Sequence, residues 1–174
     1  MNGADVKIRR LSPADASAYR NLRLEALKLA PEAYSSTFAA EGSETLAWFA
    51  ARLGTSAVFG ACANGDLLGI AGFVVRQGQK QAHKGVLVGM YVQPGARNLG
   101  IGRRLVEAVI EHAKQHVEIL QLSVIIGNEP ARRLYSRLGF VEYGVEKRAL
   151  KQDGRYWDEV LMAKSLASEE AAEQ

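Results

Sequence analysis

A chain of 174 residues with 48% apolar and 24% charged residues has the size and composition of one soluble folded domain, read as 1–167, with a core that needs no staples. Met1-Asn2-Gly3-Ala4-Asp5 lacks a basic region followed by an apolar run, and no apolar stretch reaches the length of a membrane span. A secretory leader and a membrane partner are therefore not expected, and a cytoplasmic location is. The formal net charge of +3 suits an anionic small molecule, whereas nucleic acid is not expected because no basic stripe interleaves with aromatic residues.

Val6 to Leu11 alternates apolar and basic residues, which predicts a half-buried strand. Ser12-Pro13-Ala14-Asp15 reads as a cap followed by proline at the first helical position, and the helix continues through Tyr19, Leu22, Leu24, Ala26, Leu27 and Leu29 until Pro31 stops it. Glu32 to Gly42 reads as an irregular polar loop of a length often functional, and Ser43 or Thr45 caps a second helix closed by Gly54. Ala57–Ala63 and Leu67–Arg76 predict two strands joined through Asn64-Gly65-Asp66. Cys62, the single cysteine, sits in the first of them and reads as a buried structural thiol, unable to form an internal disulfide.

Val86 to Val92 predicts the next strand, and the following helix stacks Leu105, Val106, Val109, Ile110 and Ala113 on one face. The near-continuous apolar run Ile119–Ile126 predicts a strand covered on both faces. A short helix then starts at Asn128-Glu129-Pro130 and ends at Gly139, and Val141–Ala149 and Trp157–Met162 close a sheet through Gln152-Asp153-Gly154. The segment 168–174 carries three carboxylates and no large apolar residue, and reads as a disordered acidic tail. His112 and His116 stand at i, i+4, but Ala113 replaces the Glu of a zinc protease motif and no third ligand is evident, so no metal is expected.

The most informative segment is Val92-Gln93-Pro94-Gly95-Ala96-Arg97-Asn98-Leu99-Gly100-Ile101-Gly102, between a strand and an amphipathic helix. Glycines at a helix start let backbone N–H groups approach an anion, and the helix end adds roughly half a positive charge. A Walker loop is excluded because no Gly-Lys-Ser/Thr follows. A dinucleotide fingerprint is disfavoured by Leu105 where a third small residue is needed. Gly-x-Gly alone also fits a plain turn; Arg97, Arg103 and Arg104 around it favour a phosphate.

A second segment, Asn128-Glu129-Pro130-Ala131-Arg132-Arg133-Leu134-Tyr135-Ser136-Arg137-Leu138-Gly139-Phe140, follows one helix and one strand later. The pair resembles the GNAT superfamily of acetyl-coenzyme A-dependent N-acetyltransferases. The first segment is similar to its Arg/Gln-x-x-Gly-x-Gly/Ala loop, the second to its Asn-x-x-Ala-x-x-Leu-Tyr-x-x-x-Gly-Phe signature. The resemblance implies an α/β acyl-CoA N-acyltransferase fold, with a mixed, mostly antiparallel central sheet flanked by helices. It implies acetyl-CoA as acetyl donor, held at the pyrophosphate by the amides of Arg97, Asn98, Leu99, Gly100, Ile101 and Gly102, with Arg103 or Arg104 near its phosphates. Met90, Tyr91 and Val92 would hold the pantetheine arm, with Asn128 touching it and Arg132 also at the cofactor. Asn98 departs from the pattern, since many members have glycine there.

Resemblance also supplies the chemistry. A neutral primary amine attacks the thioester, a backbone N–H of Tyr91 or Val92 polarises the carbonyl, and Tyr135 protonates the departing thiolate. Asn128 and Tyr135 are the catalytic candidates. Many members take a general base from the strand before the loop, but Lys84–Val92 holds no carboxylate, which leaves His83 or Glu41, both read as solvated groups, deprotonation through ordered water, or an amine already neutral. The acceptor site is expected from Tyr34 and Glu41, the strand start at His83, and the turn Lys151–Trp157 with Tyr156. A small-molecule amine is placed ahead of a protein N-terminus or lysine as acceptor, a non-catalytic CoA-binding sensor or a nucleotide-binding regulator is the alternative of another class, and a homodimer is implied by resemblance.

Overall fold

A computed structural model describes residues 6–167; the expectations for the first five residues and for the acidic segment 168–174 lie outside the described residues. Seven strands are hydrogen-bonded in the order β1-β2-β3-β4-β5-β7-β6. They are β1 (Lys7–Arg10), β2 (Ala57–Ala63), β3 (Asp66–Val75), β4 (Lys84–Val92), β5 (Ile119–Ile125), β6 (Val141–Gln152) and β7 (Arg155–Ser165). The pair β4–β5 is parallel, whereas β1–β2, β2–β3, β5–β7 and β6–β7 are antiparallel. The helices are α1 (Ala16–Leu29), α2 (Phe38–Gly42), α3 (Leu46–Thr55), α4 (Ile101–Ala113) and α5 (Glu129–Arg137). This is the mixed, mostly antiparallel sheet flanked by helices that the resemblance implied. Among the described residues no helix is long and apolar enough to cross a membrane.

The chain divides into two compact units, 6–73 with 88–109 and 74–87 with 110–167. In the first, Ser12 and Asp15 close a capping box around a single 3-10 turn, and α1 follows directly. Its buried Tyr19, Leu22 and Ala26 pack with Phe49 and Leu53 of α3 against Val58 and Ile70 of the sheet, and Leu27 is buried as well. Thr45, rather than Ser43, caps α3 by accepting from the Trp48 N–H, and the helix runs past Gly54 to Thr55. Cys62 is free and half-buried against this core.

The expected irregular loop Glu32–Gly42 is corrected. Pro31–Ala33 forms a 3-10 turn, and Thr37 caps the short α2 by accepting from the Ala40 N–H at 3.1 Å. The physical reason lies at Glu41, which is buried and clamped by an arginine, so this segment is anchored.

In the second unit β5 is also corrected. Leu120, Leu122 and Val124 are buried while Gln121 and Ser123 face a polar side, so one face is covered. There the Gln121 side chain accepts from Arg76 Nε at 2.9 Å and donates to the Tyr143 hydroxyl at 3.1 Å, an arrangement an apolar layer would not permit. The β6–β7 hairpin turns at Asp153-Gly154, both left-handed, as the sequence predicts. His112 and His116 stack at 4.2 Å between ring centroids, and a His116 ring nitrogen lies 2.8 Å from the His112 carbonyl.

Candidate active site

The loop of the first unit starts where β4 ends. Gln93 N–H still bonds the Leu68 carbonyl at 2.9 Å, then Pro94–Ala96 makes one 3-10 turn. Asn98 (φ 64°) and Gly100 (φ 73°) are left-handed, and Leu99 between them is not. Such alternation turns successive N–H groups toward one side and makes an anion-binding concavity. Asn98 departs from the family pattern without breaking it, because asparagine is among the few residues that tolerate this conformation. The first helical bond runs from Arg104 N–H to the Gly100 carbonyl at 3.2 Å, so the N–H groups of Ile101, Gly102 and Arg103 precede it. These are the donors that a helix start leaves for an anion.

Each of the three arginines around the loop has a partner within the chain. Arg97 folds back so that Nε donates to the Val92 carbonyl at 3.2 Å. Arg103 pairs with Glu107 one turn on at 2.7 Å. Arg104 donates from Nη2 to the Val6 carbonyl at 2.7 Å. Its long stem reaches the lead into β1 and satisfies a backbone acceptor there.

Side chains from α1, from α2 and from the segment between them gather on the end of β4. Tyr34 donates its hydroxyl to the Met90 carbonyl at 2.9 Å, and burial pushes that phenol up to about 12. The Arg23 guanidinium lies 4.9 Å from the Tyr34 ring centre and donates to Glu41 twice, Nε to Oε2 at 2.9 Å and Nη2 to Oε1 at 2.7 Å. Arg52 adds a second cation 3.5 Å from Oε2. Burial alone would raise the Glu41 carboxyl, but hydrogen bonds from Arg23 and Ser36 and the charges of Arg23 and Arg52 hold it below its ordinary value. The expectation of a solvated Glu41 is thus corrected: it is 4% exposed, and both oxygens are already engaged. A carboxylate so held makes a poor base and a poor partner for an incoming ammonium.

Two residues escaped sequence reading. Arg23 stands in the row Tyr19, Arg23, Leu27 at i, i+4, i+8, a basic residue on an otherwise buried face, and that interruption was the available signal. Glu25, half-buried, accepts from the Tyr91 hydroxyl at 2.8 Å and from Gln93 Nε2 at 3.1 Å, which ties α1 to the last turn of strand before the loop. Burial and this carboxylate raise the Tyr91 phenol well above its usual range.

The second unit carries the other motif. Asn128 is the N-cap of α5, its Oδ1 accepting from the Ala131 N–H at 3.2 Å. Arg132 is held between Glu129 at 2.6 Å and Glu142 at 2.7 Å, beside an open groove lined also by Arg133, Ser136 and Arg137. Tyr135 is 5% exposed and meets Phe140 edge-on at 5.9 Å. Tyr156 is exposed near the hairpin turn, with Arg148 and Lys151 each 5.0 Å from its ring centre.

His83 does not join Tyr156. Its carbonyl accepts from the N–H groups of Glu118 and Ile119, and Ile119 pairs with Ser165 at the far end of β7. Tyr156 opens that strand, so the nine residue steps between them put the two ends ~30 Å apart. The expectation that His83 and the Lys151–Trp157 turn line one acceptor site is therefore corrected. Asn128 follows the opposite end of β5 from His83.

Comparison with known proteins agrees with the motifs. A model of the acetyltransferase (GNAT) family matches residues 23–140. The L-amino acid N-acetyltransferase AaaT of Escherichia coli (strain K12) is 26% identical over 166 residues, covering 92% of this chain and 98% of that protein. A GNAT-family acetyltransferase from Streptococcus pneumoniae superposes with a TM-score of 0.81 at 26% identity, over 93% of this chain and 99% of that one. Ribosomal-protein-alanine N-acetyltransferase from Brucella melitensis gives 0.79 at 28% identity, over 91% and 99%.

Proposed function

The chain belongs to the GNAT family of acetyltransferases, and from that premise we propose that it moves the acetyl group of acetyl-CoA to the primary amine of a small molecule. The observation that carries the donor half is the loop Arg97–Gly102, whose left-handed Asn98 and Gly100 and helix-start amides ahead of the first helical bond suit a pyrophosphate. The acceptor class is supported by the likeness to a protein named for acting on L-amino acids. Met90, Tyr91 and Val92 receive the pantetheine arm as a neighbouring strand would, with Asn128 and Arg132 assisting.

The amine enters neutral, because an ammonium has no lone pair. Its nitrogen adds to the thioester carbonyl carbon while a backbone N–H at the end of β4 steadies the developing oxyanion. Collapse breaks the C–S bond, the amine's surplus proton passes to water, and Tyr135 gives its phenolic proton to the departing thiolate. Glu41 takes no part as base, since its proton affinity is lowered and its oxygens hold Arg23.

A panel of amines assayed by release of free thiol tests this reading. Turnover with small amines and a rise in melting temperature with acetyl-CoA are the expected results. Stabilisation by ATP but not by acetyl-CoA would refute it. Peptide amines accepted in place of small ones would return the acceptor to a protein N-terminus or lysine. Tyr135→Phe is expected to lower kcat by about 10²-fold or more with little change in acetyl-CoA affinity; unchanged turnover over the whole pH range would remove Tyr135 from the mechanism.

A further inference from the structure

Arg23 presents a buried donor that the protein does not use. Its side chain is 6% exposed, and Nε and Nη2 are spent on Glu41, yet Nη1 has no hydrogen-bond partner among the described residues. An orphaned buried donor of this kind is unfavourable, the more so when it is charged, unless something accepts from it.

The place it faces is specific. At Gly89, β4 breaks into the left-handed region (φ 63°), and a Cβ built there would meet one neighbour within 4 Å among the described atoms, Arg23 Nη1 at 3.8 Å. The next residue, Met90, has its carbonyl bonded by Tyr34, whose ring lies against the same guanidinium. Arg23 and Arg52 share the single carboxylate of Glu41, so the cluster keeps one unit of positive charge in surplus. A buried site with an unfilled N–H donor and surplus positive charge selects an anion.

Resting on the proposed transfer to a small amine, we infer that Arg23 Nη1 receives the carboxylate of the acceptor, and that the substrate class is α-amino acids rather than amines at large. An α-carboxylate accepts from Nη1 beside Gly89 while its amine, bonded to the same carbon, stays close to the strand end where the thioester is expected. Glu41, Ser36 and Arg52 act as positioning residues that hold the guanidinium plane, and Tyr34 supports its face.

The test compares wild-type kcat/KM for a set of L-amino acids, their carboxamides and the corresponding amines without a carboxyl group. The acids are expected to win by about 10- to 100-fold, mostly in KM, the range of a charge-assisted hydrogen bond. The carboxamide's amine is the less basic, so more of it is neutral at a given pH, and amine availability works against this result. Arg23→Lys keeps a cation for Glu41 but removes the forked donor, and is expected to bring the acid-to-amide ratio close to one. Should that variant fail to fold, carboxylic acids lacking the amine, tested as competitive inhibitors of the wild type against their own amides, read the same preference. Equal kcat/KM for acid and amide, or an unchanged ratio in folded Arg23→Lys, overturns the inference. Better transfer to carboxyl-free amines overturns it while leaving the transferase reading intact, and no transfer to any of the three sets overturns both.

Discussion

Removing the Glu41 carboxylate decides whether the α1–α2 cluster behaves as a buried ion pair or as a surface one. Both residues are about 95% covered, and the fork from Arg23 is short at both arms, 2.9 and 2.7 Å. Glu41→Ala would leave Nε and Nη2 without acceptors beside an Nη1 that already lacks one. Arg52, a third exposed, turns out to solvent at little cost. Breaking a buried pair from one side costs about 3–5 kcal/mol, against about 0–1 for an exposed pair. In a chain of this size that loss lowers Tm by about 6–20 °C. Urea denaturation at constant m reads it as a shift in midpoint. The double variant Arg23→Met/Glu41→Met removes both charges together and is expected to recover most of the loss, because no uncompensated charge stays buried. A Glu41→Ala loss below about 1 kcal/mol, or a double variant less stable than Glu41→Ala, would refute the description of this cluster as a desolvated pair.

The same group sets an acid limb. Its folded pKa lies below the ordinary 4.5, so its stabilisation is complete above that value and is lost as pH falls through the folded pKa. Glu41→Gln is therefore expected to show a shallower decline in urea midpoint below pH 4.5, and an identical decline would assign the acid limb elsewhere. At the loop, Asn98 is left-handed, so Asn98→Gly should preserve acetyl-CoA affinity while Asn98→Ala, strained by about 1–2 kcal/mol there, should weaken it in calorimetry. Equal affinities for the two variants would show that backbone conformation at this position does not matter. Gly69 backs the end of β4: a Cβ there would stand 3.0 Å from the Tyr91 carbonyl oxygen and from Leu105 Cδ1, and 3.3 Å from Val92 Cγ2. Gly69→Ala is expected to destabilise the fold by about 1–3 kcal/mol and to loosen acetyl-CoA binding, since the nearest obstacle includes backbone that cannot rotate away. Destabilisation with unchanged affinity would mean the strand end does not move.

What the sequence made legible was written locally. The cap at Thr45, the Asn64-Gly65-Asp66 hairpin, the glycine loop and the Asp153-Gly154 turn each depend on residues within a few positions, so short-range chemistry identifies them. Helix α2 went unread although Thr37 capped it, because five residues are too few to show a period. The covered-on-both-faces reading of β5 failed for a different reason. Its apolar run is interrupted by Gln121 and Ser123, whose face is polar only because Arg76 and Tyr143 arrive from elsewhere in the chain.

The same division separates the two substrates. The donor is expected on peptide N–H groups of one contiguous loop, and backbone geometry follows from glycine, asparagine and a helix start wherever they occur together. Reading an acceptor requires side chains, and these find each other only through the fold: Arg23 and Glu41 stand 18 positions apart, Tyr34 and Met90 stand 56 apart, and Glu25 and Tyr91 stand 66 apart. No spacing rule links such pairs. What the sequence does offer is a contradiction to look for, a basic residue in a row that otherwise buries Tyr19 and Leu27. Burying a charge is unfavourable unless something answers it. Glu41 answers two of the three nitrogens of Arg23, and the third, left facing Gly89, is where this protein's choice of acceptor is to be tested.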